Sequence, residues 1–196
     1  MKKLLVLFFL VVLGPIAQAE DILDGDERLA CEAILCLSSG QRPSECIPSL
    51  RRYFGISKST WDRTIDARED FLNQCPASNH DSSMGQLVRA IARGAGRCDP
   101  EGLNTFLRTQ VYDNDKHEYV YVIGNTMPAY CDAYHNHEYT YFTDTMPMYV
   151  GVPLRGGKWV EASNYATELA AYNARIAAED AARCAYSWDW SCWSRP

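Results

Sequence analysis

Eight cysteines constrain this chain of 196 residues more than any other feature, and their role depends on where the chain goes. The N-terminus reads MKKLLVLFFLVVLGPIAQAE. Lys2 and Lys3 form a positive n-region, Leu4 to Leu13 a short apolar core, and Gly14-Pro15 a break before the small-residue site Ala17-Gln18-Ala19. These are the parts of a secretory signal peptide, with cleavage expected after Ala19. The apolar run is well short of the roughly 20 residues that span a bilayer. The expected organisation is a leader over residues 1–19 and a single disulfide-framed domain over 20–196.

Cys31, Cys36, Cys46, Cys75, Cys98, Cys131, Cys184 and Cys192 all follow that leader. An even count in an exported chain argues for disulfides. The spacings, Cys31-x4-Cys36 and Cys36-x9-Cys46 followed by single cysteines, are not those of a zinc site. No CxxC occurs, so a thioredoxin-like role has no support. If Cys31 and Cys36 share a helix they stand about 140° apart on it, so each reaches a different neighbour. The Ser38-Ser39-Gly40 turn brings a second helix back and makes Cys36–Cys46 sterically plausible. Cys31 is then left for Cys75 or Cys98, and a Cys184–Cys192 bridge would fasten the tail.

Helical patterns fill residues 20–111. Ala30, Ala33, Ile34 and Leu37 recur at helical spacing over 26–37. A second helix is expected from Ser44 to Phe54 with Pro48 in its first turn. A third starts at Ser59, with Trp61, Ile65, Arg68, Leu72 and Cys75 on one stripe and the Arg68 head reaching out to water. A fourth runs from Ser83 to Arg93 with Leu87, Val88 and Ile91 inward. Asp99-Pro100-Glu101 opens a fifth, with Leu103, Phe106, Leu107 and Gln110 on its face.

Residues 112–160 read as a β-rich insertion. HEYVYVIG and HEYTYFT alternate with period two, and the segment is dense in tyrosine. Thr126-Met127-Pro128-Ala129-Tyr130 and Thr145-Met146-Pro147-Met148-Tyr149 form a small repeat. Two similar strand–turn units are expected, joined in a small antiparallel sheet with Lys158 to Val160 as a further strand. Residues 161–196 read as a C-terminal helix and an aromatic tail. Tyr165, Leu169, Tyr172 and Ile176 form one stripe, beside a small-residue strip of Ala166, Ala170, Ala177 and Ala181 that would admit another helix. The fold class is therefore mainly α with a small antiparallel β insertion, stabilised by disulfides.

Few residues suggest chemistry. His135-Asn136-His137, with Glu138 or Asp144 near, could hold zinc or copper, but solvated loop histidines are the simpler reading. Glu32, Glu45 and Glu69 are weighed as carboxylates of a wall-cutting glycosidase; no motif marks an acid–base pair among them. His80, Ser82 and Ser83 lack a nucleophile-elbow context. No catalytic residue, metal or cofactor is expected. The chain carries a net charge of −6, with no basic cluster beyond Arg51-Arg52, so nucleic acid is not expected as a partner. No long apolar stretch follows the leader, so stable membrane insertion of the mature chain is not expected either. Tyr134, Tyr139 and Trp188 are candidates for a contact surface, since tyrosine and tryptophan are enriched where proteins bind proteins or glycans.

"CEAILCLSSGQRPSECIPSLRRYFGI", followed by "REDFLNQCP", resembles the TrbM/KikA family of conjugal transfer proteins. The likeness is densest over Cys31 to Pro76, where it joins cysteine spacing to the Ser-Ser-Gly and Arg-Pro-x-Glu-Cys runs. The resemblance implies a periplasmic accessory of a type IV secretion machine, with envelope proteins of that apparatus as partners. It brings no catalytic residues. The alternative, from a different class, is a protein that binds or remodels peptidoglycan.

Overall fold

The computed structural model describes residues 23–186, so the leader expected over residues 1–19, Trp188 and Cys192 lie outside the described residues, and with Cys192 the pairing expected for it. Helix α1 (Gly25–Leu37) buries Ala30, Ala33, Ile34 and Leu37, the set that recurs at helical spacing. Ser38 ends it: its hydroxyl and its backbone N–H both donate to the Ile34 carbonyl. A 3-10 turn, Ser44–Cys46, leads into α2 (Ile47–Phe54), where Pro48 occupies the first turn and no helical donor is lost. The Cys36–Cys46 bridge closes this hairpin, with Cα atoms 5.8 Å apart.

Helix α3 spans Trp61–Leu72, and its cap is Thr60, one residue past Ser59: the Thr60 side chain accepts from the Arg63 N–H. Of the two partners open to Cys31, the fold selects Cys75, just past α3, at a Cα separation of 4.9 Å. Helix α4 (Ser82–Gly94) is capped by Asp81, whose carboxylate accepts from the Met84 N–H at 2.8 Å; it turns Leu87, Val88, Ile91 and Ala92 inward. Asp99 caps α5 (Pro100–Phe106) in the same way through the Gly102 N–H. The core joins these helices around Tyr53, Phe71, Leu72, Leu87 and Ile91. Each fully buried side chain of this kind contributes about 1.5–3 kcal/mol. Tyr53 keeps its hydroxyl satisfied by donating to the Ile91 carbonyl at 2.9 Å.

Arg68 departs from expectation. Its head does not reach water: the residue is 7 % exposed, with the guanidinium 4.8 Å from the Tyr53 ring, 5.3 Å from Trp61 and 5.5 Å from Phe54. A planar, weakly hydrated guanidinium stacks on rings where an ammonium would not. Arg97 lies over Trp61 as well, at 4.3 Å, and over Phe106.

The β elements also differ from the sequence reading. Helix α5 stops at Phe106, and Gln110 belongs to strand β1 (Arg108–Asp113). β1 pairs antiparallel with β2 (Glu118–Ile123) in the register Val111↔Val120. Asp113 closes the turn by accepting from the Asp115 and Lys116 N–H groups. HEYTYFT is not a strand; Tyr141 joins only an isolated parallel bridge to Ser39. The first repeat leads into helix α6 (Ala129–His135), whereas the second runs into strand β3 (Pro147–Val150). β3 pairs with β4 (Lys158–Glu161), so the described residues hold two separate two-stranded sheets rather than one.

Tertiary partners decide between these outcomes. Cys131 is bridged to Cys98, which seats α6 beside α4. There Gly94 faces the Tyr134 ring so closely that a Cβ would lie 2.6–2.8 Å from its carbons. Asn104 on α5 docks β4 by donating to the Trp159 carbonyl and accepting from its N–H, both at 2.8 Å. Helix α7 (Tyr165–Tyr186) half-buries Tyr165, Leu169, Tyr172 and Ile176, as its stripe requires. Its alanine strip, Ala166, Ala170, Ala177 and Ala181, stays exposed. The result is mainly helical with a small antiparallel β component and three disulfides among the described residues. No described helix is long and apolar enough to cross a membrane.

Candidate functional site

The Ser-Ser-Gly-Gln-Arg-Pro run lies between two disulfide-bonded cysteines, and this anchorage shapes the loop. Ser38 accepts from the Tyr141 N–H at 2.7 Å, and the Gly40 N–H donates back to the Tyr141 carbonyl at 3.1 Å. Gly40 is required there, since a Cβ would strike the Thr145 side chain. Beneath the loop is a cavity of about 190 Å3 lined by Arg42, Asp99, Tyr134, His135, Thr145 and Glu161, among others.

Tyr134 and His135 form its buried side. Tyr134 is 3 % exposed and donates its hydroxyl to the Leu37 carbonyl. Burial raises its pKa well above the tyrosine range. Of the two readings open to this residue, packing and contact surface, its position is a packing one. The His135 ring nitrogen Nε2 donates to the Cys98 carbonyl at 2.7 Å, which duplicates the link made by the Cys98–Cys131 bridge. Its Nδ1 and the Thr145 hydroxyl are buried without a protein partner. Desolvation lowers the His135 pKa, opposed by its bond to Cys98 and by Asp99 and Asp132. Arg42 at the rim donates to the Ser39 and Gln41 carbonyls. Partial desolvation lowers its pKa, and Tyr134 and Asp99 oppose that shift.

His135 and His137 are not brought to one face. His137 lies past the end of α6, where its Nδ1 accepts from the Tyr139 N–H at 3.2 Å. Among the described residues no group of three metal-ligating side chains converges. Glu32 is paired on the surface with Arg28 at 2.6 Å. Arg42, Thr145 and Glu161 were not expected from the sequence to be site residues. The available signal was the glycine and arginine held between Cys36 and Cys46.

Tyr139 is 43 % exposed. The larger tyrosine surface lies elsewhere, on the β1–β2 hairpin. The register sets Tyr112 opposite Tyr119 and Gln110 opposite Tyr121, so all four share the outer face. Tyr112, Tyr119 and Tyr121 are exposed; the first two rings meet edge to face at 5.3 Å, and Arg108 lies 4.3 Å over Tyr121. The period-two spacing of Tyr119 and Tyr121 signals this face in the sequence.

Such a molecule falls in the class of disulfide-clamped, mainly helical proteins with a small antiparallel β component. No curated protein and no solved structure matches the chain. The TrbM family model does match it, over residues 22–173, and the chain belongs to the TrbM family. Membership supports an accessory role in conjugative transfer in general.

Proposed function

We propose that the protein is a periplasmic accessory of a plasmid-borne type IV secretion apparatus. It acts through protein contacts as a single disulfide-rigidified scaffold. The family match over residues 22–173 carries this reading. Three further features support it. The N-terminal sequence has the parts of an export leader, cleaved after Ala19. No described cysteine is a free thiol, which fits an oxidising compartment. Tyr112, Tyr119, Tyr121 and Tyr139 offer aromatic contact area with polar tips, the chemistry common at protein interfaces. In this reading the bridges hold the helical layer rigid and the hairpin tyrosines meet envelope components of the apparatus.

Periplasmic crosslinking with mass spectrometry in a mating-competent donor tests it. The expected result is crosslinks to secretion-system components that disappear in a Tyr119→Ala/Tyr121→Ala variant of unchanged melting temperature. Recovery of none of these components from a donor that transfers normally, or location of the chain in the cytoplasm, overturns the proposal.

A further inference from the structure

A second feature, formed by residues other than those of the hairpin, has the chemistry of an anion site. Helices α4 and α6 enclose a groove of about 260 Å3 lined by Gln86, Arg89, Ala90 and Arg93 on one wall and Tyr130, Ala133 and His137 on the other. Arg89 and Arg93 are exposed and one helical turn apart, so their heads project on one side of α4. Neither has an ion pair or a hydrogen bond among the described residues. No carboxylate lines the groove, in a chain where acids outnumber basic residues 25 to 19. Two other cavities contrast with it: Arg42 shares one with Asp99 and Glu161, and Arg155, Arg175 and Arg183 share another with Asp113, Asp115 and Glu179.

The far wall adds a donor. Because the His137 Nδ1 accepts from the Tyr139 N–H, the neutral ring carries its proton on Nε2 and can only donate there. Gln86 adds an amide. Like charges one turn apart on a helix repel, and a bound anion relieves that repulsion. Two guanidinium forks on one wall and an imidazole on the other suit a group with several acceptor oxygens, and arginine is the side chain best matched to phosphate.

We propose that the α4–α6 groove binds a phosphate group, held by Arg89 and Arg93 and closed from the α6 side by His137. The shared chemistry is the phosphate oxygens, supplied either by a soluble phosphate or by a phospholipid headgroup. A headgroup would place this face against a membrane surface without inserting any helix.

The test uses the oxidised mature protein, with pyrophosphate titrated by calorimetry and, separately, cosedimentation with phosphatidylcholine vesicles with and without phosphatidylglycerol. Binding is expected in one arm, weakened at least ~10-fold in Arg89→Gln/Arg93→Gln, as loss of a charge-assisted contact implies. Binding to pyrophosphate identifies the soluble source, and binding only to phosphatidylglycerol vesicles identifies the headgroup. Arg51→Gln, an exposed arginine outside the groove, is expected to bind as wild type, and circular dichroism melts check that each variant folds. Binding in neither arm, equal binding of succinate, or binding unchanged in the double variant overturns the proposal.

Discussion

Replacing Cys98 and Cys131 together by alanine removes the bridge that seats α6 against the helical layer. Both sulfurs are fully buried, so alanine avoids leaving an unpaired hydroxyl in the core. The two cysteines are 33 residues apart, and freeing a loop of that length in the unfolded chain costs about 3.7 kcal/mol of stability near room temperature. The same relation yields about 4.0 kcal/mol for the separation of 44 between Cys31 and Cys75, and about 2.7 kcal/mol for the separation of 10 between Cys36 and Cys46. The structure thus orders the three bridges, with the hairpin bridge weakest. For a chain of this length the Cys98/Cys131 loss corresponds to a fall in melting temperature of about 7–15 °C. Urea unfolding of the oxidised proteins, followed by far-UV circular dichroism, measures it. The urea dependence should also steepen, because the uncrosslinked chain exposes more surface. A double variant within about 1 kcal/mol of wild type, or a hairpin bridge worth more than the Cys31–Cys75 bridge, would refute this loop-closure reasoning.

Two further predictions concern the core. The His135 pKa is lowered by burial, so in the window from its folded value up to about 6.5 the unfolded chain binds more protons than the folded one. Stability is therefore level above that window and falls as pH drops into it, by at most about 1.4 kcal/mol per pH unit. Asp26, held low by its bond to Arg52, loses its contribution only further down, in the carboxylate range. Urea midpoints at intermediate pH values check the upper step; it should vanish in His135→Gln. Arg68→Ala should cost about 2–4 kcal/mol, from the lost packing of its stem and three ring contacts at about 0.5–2 kcal/mol each. Chemical unfolding measures that cost; a variant within 0.5 kcal/mol of wild type, roughly the scatter of surface substitutions, would remove Arg68 from the core account.

Where the apolar spacing is regular or a cap is followed by proline, local sequence was a sufficient guide. α1, α4 and the start of α5 lie where Ala30-to-Leu37, Leu87-to-Ile91 and Asp99-Pro100 place them. The Cys36–Cys46 pairing was legible for the same reason, since a turn of a few residues leaves two cysteines little choice. The cavity beneath Gly40 was not legible. Its lining comes from segments as far apart as Arg42 and Glu161, and no local pattern marks residues that meet only after α6 is docked. Arg68 was misread because a charged residue on an apolar stripe ordinarily turns outward; here Tyr53, Phe54 and Trp61 converge on it from α2 and α3.

Local composition accounts for the mainly helical character, the helix caps, the oxidised cysteines and the resemblance that family membership bears out. These follow from backbone propensity and from chemistry within a few residues. Long-range packing settled which cysteine Cys31 takes and why one Thr-Met-Pro repeat becomes helix and the other strand. It also turned Tyr134 inward while Tyr119 faces water. Each of those outcomes is set by a partner distant in sequence, such as Cys75, Cys98, Gly94 or β4, whose position exists only once the chain has folded.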